Sequence, residues 1–382
     1  MTRAKTALAV AFIAALPFAP ASAADFKIGT ILPLTGPGAD IGRVLVEGAK
    51  ATVVMVNKTG GIGGMHVEMI VCDTQSVEQQ AVLCARRLAG DDKVNVLLGA
   101  GTTPQTLAIL PTIDSVQVPL FAIAGGVVNY RPLKKWVFKA IATNEDQIPV
   151  AVAYLKSKGI TTIANIHDNG PFGTDVAQTL KPAAAAAGLE IVADEVYTAT
   201  DQDMSAQVTR VRAAKPAAVF DMSSNPPPGA IVAKKILQLG ITVPIVVGIN
   251  LQTKAFADMS GDASDQMIFI GNKAAFESVP DSDPLAPNIR AFRAAFAELH
   301  PGDTVVGLST TCADSILVTQ AAAKSLGAKA LDGTALLHAI EAVQNVPGVQ
   351  GIWSFSPTNH ESSMKDGVAL LKLVKGKWEP AQ

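Results

Sequence analysis

The spacing of apolar positions along the chain changes period at regular intervals. From Phe26 to Leu34 it alternates, the pattern of a half-buried strand, and it ends in the turn formers Thr35-Gly36-Pro37-Gly38. Ile41, Val44, Leu45, Gly48, Ala49, Val53 and Val56 then recur at helical spacing until Asn57 and Gly60-Gly61 stop the run. Val67 to Val71 returns to a strand. Two strands joined by a crossover helix predict a parallel sheet, with ligands at the carboxyl ends of its strands.

The rhythm continues. Strands are predicted at Val94–Leu98, Val118–Ile123 and Phe138–Ile141, with a helix from Thr106 and a long helix opening at Thr143 to Asp146. It then restarts with a strand at Ile160–His167, the loop Asp168 to Gly173, and an alanine-rich helix running to Gly188. Glu190–Val196, Ala217–Met222, Ile245–Gly248 and Met267–Ile270 are further strands. Helices are expected over Ile289–Leu299, Val305–Ser325 and Asp332–Gln344, then strands at Gly351–Ser356 and Val368–Val374. Two series of βα units, each able to cover its own sheet, predict two doubly wound α/β lobes.

The opening stretch carries I-G-x-x-x-P-L-T-G, then G, then N-x-x-G-G-I-x-G, on Ile28, Gly29, Pro33 to Gly36, Gly42, Asn57, Gly60 to Ile62 and Gly64. This pattern resembles the mature N-terminus of periplasmic solute-binding proteins of the branched-chain amino acid type, and the likeness extends more thinly over the whole mature chain. The resemblance implies the type I periplasmic-binding fold, with parallel-sheet lobes joined by a three-strand hinge. It assigns residues near 24–143 and 274–348 to lobe 1, and 144–273 and 349–382 to lobe 2.

Residues 1–23 read as a secretory signal. Arg3 and Lys5 form its basic start, Ala7 to Phe18 its apolar run, and Ala21-Ser22-Ala23 its cleavage site. Removing it takes 382 residues to 359, enough for two domains, and leaves 29 basic against 33 acidic residues. That mild negative balance offers nothing to nucleic acid. A hydrophobic share of 49% supplies the cores, and no later run is long enough to span a bilayer. Export makes the cysteines informative. Cys72 closes the second strand and Cys84 lies in the helix Val77–Leu88, a spacing that permits a bridge across the strand-to-helix turn. The resembling family often carries a disulfide here, so a structural bridge is expected, with Cys312 a buried free thiol. The five histidines are scattered, and no metal or cofactor is expected.

No G-x-S-x-G, H-E-x-x-H or P-loop occurs, so no enzyme chemistry is expected. Gly36 to Gly42 loosely imitates a dinucleotide fingerprint, but Pro37 has no N–H for a pyrophosphate and no acid follows about 20 residues on. His167-Asp168 ends a strand and reads as a turn. Loops of small and hydroxylic residues at strand ends instead suit a carboxylate held by helix N-termini. The resemblance places Thr102 and Thr103, with the loop Ala124-Gly125-Gly126, at a ligand carboxylate. It puts Ile41 and Phe172 at the walls, Asn225 where an aromatic is usual, and Asn250 where relatives that bind α-amino acids place an acid. Gly126 lacks the hydroxyl of the usual Thr. Unless Asp221 or Glu277 moves in, an ammonium would be buried unpaired, so a small carboxylate with an apolar or aromatic body is the expected ligand.

The expected function is therefore a monomeric solute receptor for an ABC importer, delivering its carboxylate to an inner-membrane permease. A ligand sensor using the same fold without transport is the alternative. A secreted oxidoreductase or hydrolase is disfavoured by the missing motifs. N-terminal sequencing of the exported species should start at Ala24, because Ala21 and Ala23 supply the small side chains that cleavage needs. Retention of Met1 would contradict the signal assignment.

Overall fold

The computed structural model describes residues 25–381; the signal segment lies outside them. The first sheet is built from β1 (Phe26–Leu32), β2 (Val67–Asp73), β3 (Val96–Gly99), β4 (Leu120–Ala122) and β5 (Val137–Lys139), with α1 (Ala39–Lys58), α2 (Glu78–Gly90) and α3 (Thr103–Val116) between them. All its pairs are parallel, in the order β2-β1-β3-β4-β5. The chain then passes through α4 (Asn144–Ser157) into β6 (Thr162–Asp168), α5 (Pro171–Ala187), β7 (Glu190–Tyr197), α6 (Ser205–Ala214), β8 (Ala218–Asp221), α7 (Pro226–Gln238), β9 (Ile245–Val247), α8 (Lys254–Ser260) and β10 (Met267–Asn272). These strands repeat the topology, as β7-β6-β8-β9-β10.

Three helices, α9 (Ala286–Leu299), α10 (Thr310–Ala323) and α11 (Gly333–Glu341), follow. The first two pack on α1, so this late segment completes the first lobe. A two-residue pairing of β11 (Val346–Pro347) with β12 (Ile352–Trp353) precedes β13 (Val368–Val374) and β14 (Lys377–Pro380), which extend the second sheet, β13 antiparallel to β10 and β14 antiparallel to β13. The resemblance gives lobe 2 everything after residue 348. His360 nonetheless stacks on Phe138 of the first sheet and Phe355 meets the same ring edge-on, and the chain joins the second sheet at β13.

Period-2 burial explains why the second sheet is covered on both faces. Ile163, Ala218, Phe220, Val246, Ile268 and Ile270 face α4 and α5, whereas Ala164, Ile166, Val219, Ile245, Val247 and Phe269 face the other way. Four local expectations are corrected. Helix α3 begins at Thr103, not Thr106, because Pro104 is tolerated in a first helical turn. The helix expected over Val305–Ser325 is a short turn followed by α10, because Gly307 is pulled onto Gln252, whose Oε1 accepts its N–H at 2.7 Å. The strand expected over Gly351–Ser356 shrinks to two residues. Its later amides are taken elsewhere, Ser354 N by Ser362 Oγ, Phe355 N by Val343 O and Ser356 N by Asn359 O, while Asp314 holds the indole N–H of Trp353 and the N–H groups of Val349 and Gln350 just before it. Strand β14 was not expected; Lys375 and Gly376, both at positive φ, turn the chain into it.

Cys72 and Cys84 form a disulfide, and Cys312 is a buried thiol whose ionisation burial opposes. At the lobe junction, Lys139 Nζ donates to Asp146 Oδ2 at 2.6 Å, with both side chains about 5% exposed or less. The same carboxylate accepts from Thr143 N and Oγ1 and, at its other oxygen, from Met364 N at 2.9 Å. It thus ties the chain leaving the first sheet to the segment entering β13. Asp146→Asn should destabilise the protein by roughly 3–5 kcal/mol in urea unfolding, because Lys139 is left buried without its countercharge. An unchanged midpoint would show the pair to be solvated.

Candidate functional site

In both sheets the strand order reverses beside the first strand of the series, between β1 and β3 and between β6 and β8. Right-handed crossovers then send successive helices to opposite faces and leave a crevice at the carboxyl ends of those strands. The two crevices face each other. They enclose a space of about 30 Å³, lined by Ile41, Gly101, Thr102, Thr103, Ile123, Ala124, Gly125, Ile141, Phe172, Ser224, Asn250 and Leu308.

From the first lobe, α1 brings Ile41 to the cavity. It can do so because residue 42 is glycine: a Cβ there would stand 1.9 Å from Pro33 O. Helix α3 brings Thr102 as its N-cap and Thr103 as its first residue. Thr106 N is the first amide of α3 to bond back, to Thr102 O, so the N–H groups of Thr103 and Gln105 have no intrahelical partner. Thr103 is 2% exposed, and its hydroxyl meets only Asn129 Nδ2, at 3.5 Å. In the neighbouring loop the carbonyls of Ala124, Gly125 and Gly126 are taken by Tyr130 Oη, Asn144 N and Asn129 Nδ2. Their N–H groups remain unspent. Gly126 itself does not line the cavity. A Cβ there would lie 2.9 Å from Thr103 Oγ1, so its bareness makes room for that hydroxyl.

From the second lobe, Phe172 sits in the first turn of α5 with its ring against Gly125, 3.2 Å from where a Cβ would be. Asn250 spends its amide N–H groups on Ser223 O and Ser224 O, at 2.9 and 3.3 Å. Asn225 is not brought to the cavity: it caps α7, whose next three residues, Pro226 to Pro228, carry no N–H. That helix start has a dipole but few donors, unlike α3.

Neither candidate acid reaches the site. Glu277 is exposed and faces Lys377 at 3.5 Å on the hinge flank. Asp221 is fully buried, accepting from Ser223 Oγ at 2.6 Å, and burial pushes its carboxyl up to about 8. Tyr197 Oη lies 2.5 Å from the same Ser223 Oγ. His167-Asp168 ends β6, and Asp168 accepts from Gly170 N in the loop beyond it and from Ser224 N in the neighbouring loop. Ile141 and Leu308 were not foreseen. They arrive from the crossing segment and from a turn some distance along the chain, and no local motif marks them.

Several bonds clasp the lobes around this space. Thr253 Oγ1 donates to Asp40 Oδ2 at 2.5 Å, and Val127 N to Asp175 Oδ1 at 3.3 Å. Arg131 forks to Glu145 and Glu361, each at 2.9 Å. A family model described as periplasmic binding protein matches residues 25–377. The chain belongs to the periplasmic binding protein family. Its kinship within that family is with the branched-chain amino acid type. The Leu/Ile/Val-binding protein BraC3 of Rhizobium johnstonii is 29% identical over 287 residues, covering 74% of this chain and 77% of its own length. An extracellular ligand-binding receptor of Rhodopseudomonas palustris HaA2 superposes with a TM-score of 0.84 at 24% identity, over 94% of this chain and 100% of its own. The branched-chain amino acid transporter substrate-binding protein LivJ of Streptococcus pneumoniae, solved with isoleucine, gives 0.79 at 21%, over 94% and 99%. At those identities the structures speak for the fold alone.

The buried Asp221 gives this binding protein a pH signature. Its folded pKa of about 8 lies above the usual 3.8, so its contribution to stability is complete below about pH 4 and is lost as pH rises through 8. Asp221→Asn should remove that slope, so urea midpoints at pH 5 and pH 8 should differ less than in the unaltered chain. Parallel pH dependences would contradict a raised carboxyl.

Proposed function

We propose that this chain is the extracytoplasmic receptor of an ABC importer, exported by its signal segment, and that it captures a small carboxylate lacking an ammonium group. The observation that carries the second part is the lining: none of the residues around the cavity bears a charge. The amide donors there are the unspent N–H groups at the start of α3 and those of Ala124 and Gly125, beside the Thr103 hydroxyl. They suit a carboxylate, which backbone N–H groups and a helix N-terminus hold without a full countercharge. An ammonium would face Ile41, Phe172 and Asn250, whose amide can offer it a neutral oxygen but no countercharge. Ile41, Ile123, Ile141, Phe172 and Leu308 instead favour an aliphatic or aromatic body.

The enclosed space has about the volume of one water molecule, so a solute enters only as the lobes part. Closure around it re-forms the contacts of Asp40 with Thr253 and of Val127 with Asp175, and the closed form is the one a permease reads. The family is one of solute binders, and the reading includes no turnover of the ligand.

Calorimetry on paired ligands tests the chemistry. 4-Methylpentanoate and 3-phenylpropanoate should bind better than leucine and phenylalanine. Thr103→Val should weaken the preferred acid by about 10- to 100-fold, one charge-assisted hydrogen bond of roughly 1.5–3 kcal/mol, with little change in melting temperature. Tight binding of the amino acids alone would return the protein to the amino-acid specificity of its named relatives.

A further inference from the structure

Two adjoining cavities of about 530 and 300 Å³ lie on the flank of the hinge and share Phe276, Glu277, Lys377 and Trp378. In the smaller one, α9 presents Arg293, Phe296 and Ala297 at helical i, i+3, i+4 spacing. Arg293 is half-buried. Its Nε and Nη2 donate to Ala274 O at 3.2 and 2.9 Å, and its Nη1 to Glu277 O at 2.9 Å. Three of the five N–H groups are thereby spent, leaving one on each terminal nitrogen, the pair that matches a carboxylate. Burial pulls the guanidinium pKa down, and no acid offsets it. The nearby carboxylates are on the rim: Glu277 is 83% exposed and turned to Lys377, and Asp303 and Glu379 are exposed.

We propose that this cavity is a second binding site, for a small monocarboxylate with an apolar ring or chain, whose carboxylate pairs with Arg293 and whose body lies against Phe276, Phe296 and Trp378. One unpaired cation calls for one negative charge, and the rim acids repel a second. A volume near 300 Å³ is at the small end of ligand pockets. The walls come from three bodies: α9, which packs on α1 of the first lobe; Trp378 of the second sheet; and the crossing segment at Ala274 to Phe276. A ligand touching all three holds the lobes at one angle, so occupancy here and in the cleft is thermodynamically linked. The site is built from its own residues, whatever the chemical identity of the solute in the cleft.

The test is ¹⁹F NMR of 4-fluorobenzoate with the mature chain and with Thr103→Val, Arg293→Gln and Ala297→Trp. A binding component should persist in Thr103→Val. It should weaken at least about tenfold in both hinge-flank variants. Ala297→Trp fills the cavity while leaving the bonds of Arg293 to the backbone in place, so it decides the matter if Arg293→Gln fails to fold. Three results overturn the proposal: no binding to the unaltered chain, binding abolished by Thr103→Val alone, or binding undiminished in Ala297→Trp.

Discussion

The buried pair of Lys139 and Asp146 is the constraint on which the arrangement of the two sheets rests. A carboxylate and an ammonium removed from water are stable only when paired and hydrogen-bonded, and these have the bonds they need. Because the partners of Asp146 come from the end of β5, the start of α4 and the segment before β13, satisfying one charge locks two crossings of the chain together. The third crossing is anchored differently, by Asn272, which donates to Gly307 O and Thr310 Oγ1, and by Gln252, which accepts from Gly307 N.

The cleft follows from repeating one topology. Each sheet reverses its order beside its first strand, so each offers one crevice with helix N-termini around it. The two crevices are chemically unequal. The first has the open N-terminus of α3 and a loop with unspent amides; the second has a helix that opens on three prolines and a turn whose carbonyls are held by Asn250. The free donors are thus concentrated in the first lobe, and the second contributes mainly the Phe172 wall. The hinge flank inverts this chemistry, with a full cation, Arg293, in place of backbone dipoles.

Much of this was legible along the chain. Glycine, proline and asparagine punctuate the first βαβ unit so clearly that β1, α1 and β2 fall within a few residues of expectation, and the family resemblance singled out Thr102, Thr103, Ala124 and Gly125, which do line the cavity, among the loops at strand ends. The disulfide joins the two cysteines expected. Legibility failed where a distant group took over the backbone. Ser362 Oγ and Val343 O take the amides of Ser354 and Phe355 that would have built a longer strand after Trp353, and Gln252 claims Gly307 and breaks the expected helix. Periodicity reports only which face of a segment is apolar, and it is silent about side chains elsewhere in the chain.

The same limit separates what the sequence determined from what the tertiary structure decided. Period and turn chemistry are local properties, so residue order alone was enough for two βα series and for loops able to hold an anion. Which loops meet, that Asn225 turns away while Leu308 and Ile141 arrive, that Asp221 is buried behind the site and Glu277 lies outside it, are decided by packing. Packing sums many small contacts between segments far apart in the chain, and no single segment encodes that sum.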